Sequence, residues 1–481
     1  MISRRDFLAA SLPAALSGQS SPSRPNILLV LADDLGYGDL SCNGNRIVRT
    51  PNLDRFAGEG VRFTNCYSGA PNCSPARTAL MTGRTPTRVG IHNWIPMLSP
   101  MHVRKSEVTI ATLLQKAGYQ TSHAGKWHLN GWFNLPGQPQ PHDHGFQHWF
   151  STQNNALPNH RNPYNFVRNS IPMGPQQGYA GQIVATEAIR WLKQRDASKP
   201  FFQFVCFHEP HEPIATDAKF ADLYPSADPS YSAYWGNVAQ MDDCFGQILR
   251  TLDELKLRDN TLVLFTGDNG PARTAIHPHG STAGFRANKG HIYEGGIRVP
   301  GLLRWPGQAR AGQVSDEPIC GVDWLPTVCE ATGIAAPTDR AIDGTSWLPT
   351  LKGAPISRRT PLYWHFNHAT SIPKVAMRMG DWKVVAKLTG PNLGPGGDIQ
   401  AEHQQAIKSA ELAAFELYNL RTDTAEQNDL ASSEPGRLKQ MLDTLKPLYR
   451  SVRDESPTWP AWENARYEDG RIEWPAYRKQ R

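Results

Sequence analysis

The sequence predicts an α/β fold: a large mixed, mainly parallel sheet flanked by helices, then a smaller C-terminal α+β domain containing an antiparallel sheet. Three observations carry that expectation. Residues 26–32 (NILLVLA) and 261–266 (TLVLFT) are short continuous apolar runs, the signature of strands buried on both faces. Amphipathic helical stretches alternate with such runs, as crossover connections do in a parallel sheet. At Lys352-Gly353-Ala354-Pro355 the texture shifts to shorter strand-like pieces.

Taken in order, the chain begins with a targeting segment. Ser3-Arg4-Arg5-Asp6-Phe7-Leu8 resembles the twin-arginine export signal, a weakly apolar stretch follows, and small residues at 15–18 allow cleavage, so residues 1–21 are expected to be a signal peptide. No run has the length of a membrane span and no cysteine marks a lipidation site, so no membrane anchor is expected. The first apolar run ends in Asp33-Asp34 and a glycine-rich turn through Gly36 and Gly38. Residues 108–117 and 185–194 read as amphipathic helices, 201–207 (FFQFVCF) as another buried strand, and 231–255 as a long helix. The second run ends in Gly267-Asp268-Asn269-Gly270, so two strands end alike, with acidic or amide pairs at their C-terminal edge, where α/β sheets collect ligands. Residues 131–180, rich in Pro, Asn, Gln, His and Gly, read as a functional rim loop. The larger domain is expected over 22–352 and the smaller over 353–481, with strands near 361–366, 375–379 and 382–387 and a helix over 434–453. The aromatic-rich tail is expected to pack on the body.

Bulk properties narrow the function. The chain has 481 residues, is one-fifth charged and carries a net charge of +6 with its basic residues scattered. That is a globular composition without the basic stripe of a nucleic-acid binder. Seven cysteines show no C-x-x-C spacing, and pairing of the six other than Cys73 stays open.

Cys73-Ser74-Pro75-Ala76-Arg77 carries the most chemistry. If a helix starts after Asn72, Pro75 falls in its first turn, where a missing N–H costs nothing. Cys73 then sits at the positive end of the helix dipole, with Arg77 one turn on along the same face. That suits a nucleophile acting on a tetrahedral oxyanion. The competing reading is a buried thiol beside a surface arginine.

This pentapeptide and the run to Arg84 resemble the C/S-x-P-x-R signature of type I, formylglycine-dependent sulfatases of the alkaline phosphatase superfamily. Further motifs follow in the family's order: residues 25–39, 50–54, 125–128 (GKWH), 210–213 (PHEP), 267–270 (GDNG), and 289–290 with 293–296; a weaker match is 417–420 (LYNL). The resemblance implies that Cys73 is oxidised to formylglycine, whose hydrate offers two hydroxyls. One attacks sulfur; the other drives collapse to the aldehyde and releases sulfate. It also implies a metal held by Asp33, Asp34, Asp268 and Asn269 together with residue 73. Hard oxygen donors select Ca²⁺ or Mg²⁺, and calcium is the family's choice. Arg77 would orient the hydrate, while Lys126 and Lys289 would neutralise sulfate oxygens. His128 would take the hemiacetal proton, and shares a face with Lys126 if that segment is extended. His211 would protonate the leaving alcohol, with His208 its rival. In the long loop Asn154, Asn155, His160 and Arg161 are candidate substrate contacts, whereas His142, His144 and His148 read as loop packing.

The function so implied is that of an exported, periplasmic or extracellular sulfatase acting on a sulfated carbohydrate. Its partners would be a formylglycine-generating maturation enzyme and the twin-arginine export machinery, with Cys73 modified before export. A phosphonate or phosphate diester hydrolase of the same superfamily is the alternative enzyme. A non-catalytic binding protein on this scaffold is the alternative outside enzymes, and it predicts a lost nucleophile or ligand.

Overall fold

The structure, a computed structural model, describes residues 24–478. The expected signal peptide at 1–21 lies outside the described residues. The large sheet has ten strands. Its centre is five parallel strands in the spatial order Thr261–Gly267, Asn26–Ala32, Phe201–Cys206, Gln120–Lys126 and His148–Thr152. Gly301–Arg304 and Val61–Phe63 extend one side in antiparallel pairing, with Gln313–Ser315 beyond them; the Val167–Arg168 and Ile171–Pro172 ribbon extends the other.

The alternation of side chains explains why the first apolar run is continuous. Ile27, Leu29 and Leu31 enter the core on one face, while Leu28, Val30 and Ala32 enter a second core on the other. Helices cover both faces. Ala180–Gln194 starts at Ala180 rather than 185, and Pro229–Glu254 starts on a proline after Asp228, whose carboxylate accepts from Ser230 N.

Two central strands escape the apolar-run criterion. Gln120–Lys126 (QTSHAGK) is almost wholly buried, yet several of its polar groups find partners on neighbouring elements, while Ser122 Oγ and His123 Nε2 have none. Thr121 Oγ1 donates to Gly145 O at 2.6 Å, and His123 Nδ1 lies 2.7 Å from Ser151 Oγ. Gly125 has φ +107°, and a Cβ there would lie 1.8 Å from Cys206 O, so this strand end requires glycine. His148–Thr152 lies inside the segment expected to be a loop, so residues 131–180 contain a sheet strand and a ribbon as well as rim. The expectation of a rim loop throughout is corrected. Strand-forming aromatic and β-branched residues were diluted there by polar neighbours that find partners within the fold.

The smaller sheet runs Leu362–His365, Val375–Met379, Trp382–Leu388 and Leu412–Asn419, each antiparallel to the next. Helix Pro435–Glu455 packs Met441, Leu445, Tyr449 and Val452 against it. Lys383 fastens this sheet to the larger domain. Fully buried, it lies 3.0 Å from Glu294 and 2.8 Å from Glu426, and Glu294 also accepts from Tyr67 OH at 2.7 Å. Lys383→Met is expected to leave two buried carboxylates short of their cation and to cost about 3–5 kcal/mol. Urea unfolding measures this; an unchanged midpoint would refute the assignment.

Candidate active site

Four adjacent parallel strands deliver the site at their C-terminal ends. Asp33 and Asp34 follow Asn26–Ala32, Asp268 and Asn269 follow Thr261–Gly267, Lys126 ends Gln120–Lys126, and His208 and His211 lie in the turn after Phe201–Cys206. Asp34 has φ +62°, a left-handed conformation that aspartate tolerates, and its N–H donates to Asp268 Oδ1 at 3.1 Å. The glycine-rich turn beyond it is packed tightly; a Cβ on Gly36 would lie 2.3 Å from Ser281 O.

Cys73 opens helix Cys73–Thr82, with Asn72 as N-cap. The Cys73 N–H donates to Asn72 Oδ1 at 2.9 Å, so the cap rather than the thiol satisfies this first donor. The ligand atoms of Cys73, Asp33, Asp34 and His211 all lie within 4.8 Å of one another. Three cations face three carboxylates here. Lys126 Nζ is 2.6 Å from Asp33, Lys289 Nζ 2.7 Å from Asp34, and Arg77 donates to Asp268 Oδ2 from Nε at 3.1 Å and Nη2 at 2.8 Å. Arg77 Nη1 also donates to Lys126 O at 2.7 Å, joining the helix to the strand end.

A family model described as "Sulfatase" matches residues 25–334, and one described as "N-sulphoglucosamine sulphohydrolase, C-terminal" matches residues 284–388. The chain is 36% identical to human (Homo sapiens) N-acetylgalactosamine-6-sulfatase over 73% of its own length and 70% of the relative's. It is 30% identical to mouse (Mus musculus) steryl-sulfatase, over 93% of this chain and 85% of that one. Among solved structures, Ps i-CgsB in complex with k-i-k-neocarrahexaose superimposes with a TM-score of 0.78 at 25% identity, over 91% of this chain and 95% of that one. The chain belongs to the sulfatase family. As an enzyme it is a sulfuric ester hydrolase.

The electrostatics of this sulfatase are set by burial and by the three ion pairs. Burial opposes ionisation of Asp33, but Lys126, His211 and Arg77 hold it well below the usual carboxylate range. Burial and the negative charge of Asp33 push Asp268 up, opposed by Arg77. Burial raises the Cys73 thiol to about 12 against the pull of Lys126 and Lys289, so an unmodified thiol stays protonated at neutral pH. His211 Nδ1 lies against its neighbour's carbonyl, Glu212 O, leaving Nε2 facing Asp34 at 3.6 Å. Burial lowers its pKa to about 4.

His128 reaches the cluster by a different route from the one expected. The chain is not extended there; His128 has φ +59°, so strand alternation with Lys126 does not apply. The left-handed turn places Nε2 3.1 Å from Ile95 O and leaves Nδ1 buried without a partner. Burial and the nearby Lys126 and Arg77 hold its pKa well below the ordinary histidine value.

Other candidates sort by position. His208 is buried, with Nε2 2.8 Å from Thr152 Oγ1, and burial lowers it to about 3. His160 is buried edge-on to His208, whereas Arg161 is exposed, its guanidinium 5.8 Å from the Tyr179 ring centre. His144 bonds Val103 O, His148 pairs with Glu187 and His142 stacks on Trp149, all as packing. Asn154 and Asn155 face a residue that sequence reasoning missed. Glu468, from the tail, accepts from Asn154 Nδ2 at 2.6 Å and from Asn155 N at 3.0 Å. Nothing local to Glu468 signals this, because its partners lie more than 300 residues away.

The donor set suits a hard cation. Two buried oxygens at its heart, Asp33 Oδ1 and Asn269 Oδ1, have no hydrogen-bond partner. Asp34 adds a carboxylate beside them, and Asn269 Nδ2 donates to Asp34 Oδ1 at 2.7 Å, which turns Asn269 Oδ1 away as a free acceptor. Oxygen donors of this kind select Ca²⁺ or Mg²⁺.

Proposed function

We propose that this chain is an exported, calcium-dependent sulfatase that hydrolyses a sulfate ester on a sugar, with Cys73 converted to formylglycine. The observation that carries this reading is the position of Cys73. It lies at a helix start within 4.8 Å of Asp33, Asp34 and His211, ringed by Lys126, Lys289 and Arg77. A thiol buried there and raised to about 12 is a poor nucleophile, which favours a modified side chain. Formylglycine supplies, as its hydrate, a nucleophile with a built-in release route.

The residues then divide the work. Asp33, Asp34, Asp268 and Asn269 would hold the calcium, which would supply positive charge for a sulfate oxygen and for the nucleophile. The three carboxylates and three cations cancel formally, so a divalent ion leaves the site two positive charges for an anion that departs as a dianion. Lys126 and Lys289 neutralise sulfate oxygens. Arg77, locked on Asp268, fixes the start of the helix and orients residue 73. His128 Nδ1, free and buried, takes a proton during release. For His211 Nε2 to give one to the leaving alcohol, the ring must first take up a proton, which the negative charges of Asp34 and of a bound sulfate favour against burial.

A sugar substrate is supported by the names of the relatives, an N-acetylgalactosamine-6-sulfatase and a protein crystallised with a neocarrahexaose. Export rests on the twin-arginine-like residues 3–8, which imply the export machinery and a maturation enzyme acting on Cys73 as partners. Among the described residues no helix is long and apolar enough to cross a membrane.

Mass spectrometry of the Cys73 peptide from active protein made in the native host is expected to show formylglycine. Chelation is expected to remove activity, and calcium to restore it more completely than magnesium. Active protein with an unmodified Cys73, or activity indifferent to chelation, would overturn the reading. Rates on matched sulfate and phosphate esters should favour sulfate; the reverse would install the diesterase alternative.

A further inference from the structure

The tail after helix Pro435–Glu455 does more than pack on the body. It visits in turn four loops around the site. Trp459 Nε1 donates to Gly90 O at 2.7 Å, at the start of the loop whose Ile95 O meets His128 and whose Asn93 Oδ1 accepts from Asn72 Nδ2 at 3.1 Å. Asn464 and Ala465 donate their N–H groups to Asp398 Oδ1, both at 2.8 Å; that loop also supplies Gly396 O to Asn93. Glu468 then clamps Asn154 and Asn155, and Asn155 Oδ1 lies 3.4 Å from His160 Nε2. Tyr477 OH finally lies 3.3 Å from His277 Nε2, in the loop whose Thr274 Oγ1 donates to Glu212, next to His211.

The result is a ring of loops stitched together by one strand of chain. Inside it the site side chains are closed off: Lys126 has 0% of its side chain exposed, and only His211 at 17% and Lys289 at 18% open to solvent. A saccharide threading through would need the site open on two opposite sides. The two partly exposed groups, His211 and Lys289, both lie against Asp34, so access converges on one point, as suits a residue entering end-on. Glu468 is buried, and both its oxygens are committed to the loop carrying His160, so its effect on substrate runs through that loop.

We propose that residues 457–478 form a belt that closes the active site into an end-on pocket, so that sulfate is removed from the terminal residue of a saccharide, with Glu468 the positioning residue that sets the 153–160 wall. This rests on the sulfatase reading above. The test uses the full-length enzyme, 4-nitrophenyl sulfate as a reference, and a panel of defined sulfated mono- to hexasaccharides carrying sulfate on the terminal or an internal residue. On whichever saccharides are accepted, terminal sulfate is expected to leave about 100-fold faster or more than internal sulfate. Glu468→Ala is expected to raise KM for the accepted saccharide about tenfold, with kcat within about threefold, and Glu468→Gln to recover part of the loss.

Comparable release of internal sulfate, or turnover of the aryl sulfate with no saccharide accepted, would overturn the pocket. A KM unchanged in both Glu468 variants would overturn the role of the clamp. If Glu468→Ala does not fold, Glu468→Gln and the end-versus-internal comparison still decide. An enzyme silent on the aryl sulfate and on every saccharide fails the sulfatase reading itself, and this one with it.

Discussion

Cys73→Ala is expected to lower turnover by about 10⁴-fold or more while leaving the protein folded. The size of the loss follows from what remains. Lys126 and Lys289 would still bind sulfate, but no group near it could take sulfur covalently and then let it go. The fold survives because Cys73 holds nothing together. Asn72 caps the helix through its own side chain, Arg77 ties the helix to Asp268 and to Lys126 O, and among the described residues every cysteine is free. Removing one buried sulfur leaves a small cavity worth about 1 kcal/mol. Cys73→Ser is the sharper variant, because it keeps a hydroxyl in place but offers one oxygen where the hydrate offers two. It is expected to trap sulfate on the enzyme after one turnover, read as a stoichiometric burst. Steady turnover by either variant would show that residue 73 is not the nucleophile.

The cluster was legible in the sequence because strand ends are punctuated. Asp33-Asp34 and Asp268-Asn269 each follow a run that has no choice but to be a buried strand, and adjacent parallel strands bring such ends together. Lys126 was legible only through its motif. Its strand, QTSHAGK, carries buried polar residues whose partners lie on other elements, so neither apolar continuity nor alternation marks it. His128 shows the limit of period-two reasoning, since one left-handed residue re-aims a side chain without any sign in hydropathy. Glu468 lies further still from prediction. A lone glutamate in an irregular tail resembles a solvated surface residue, and only the three-dimensional path of the tail brings it against Asn154 and Asn155.

Lys126 and Asp33 allow structural and chemical roles to be separated by experiment. In chelator-treated protein, Lys126→Met is expected to cost about 3–5 kcal/mol, because Asp33 stays buried and charged with Arg77 3.7 Å away as a poorer partner. Asp33→Asn should cost a similar amount by stranding the Lys126 ammonium, whose side chain is 0% exposed. Joining the two removes both charges at once, so the double variant should cost only about 1–2 kcal/mol, a coupling of about 5–8 kcal/mol in the thermodynamic cycle. Activity should behave differently. Each single variant is expected to lose about 10³-fold in kcat/KM, and the double variant to recover none of it, because the sulfate has lost a cation and the metal a carboxylate. Urea unfolding and aryl-sulfate kinetics on the same four proteins read the two cycles side by side. Stability and activity recovering together would mean that the pair only holds the strand ends in place; stability recovering alone assigns both residues to the chemistry.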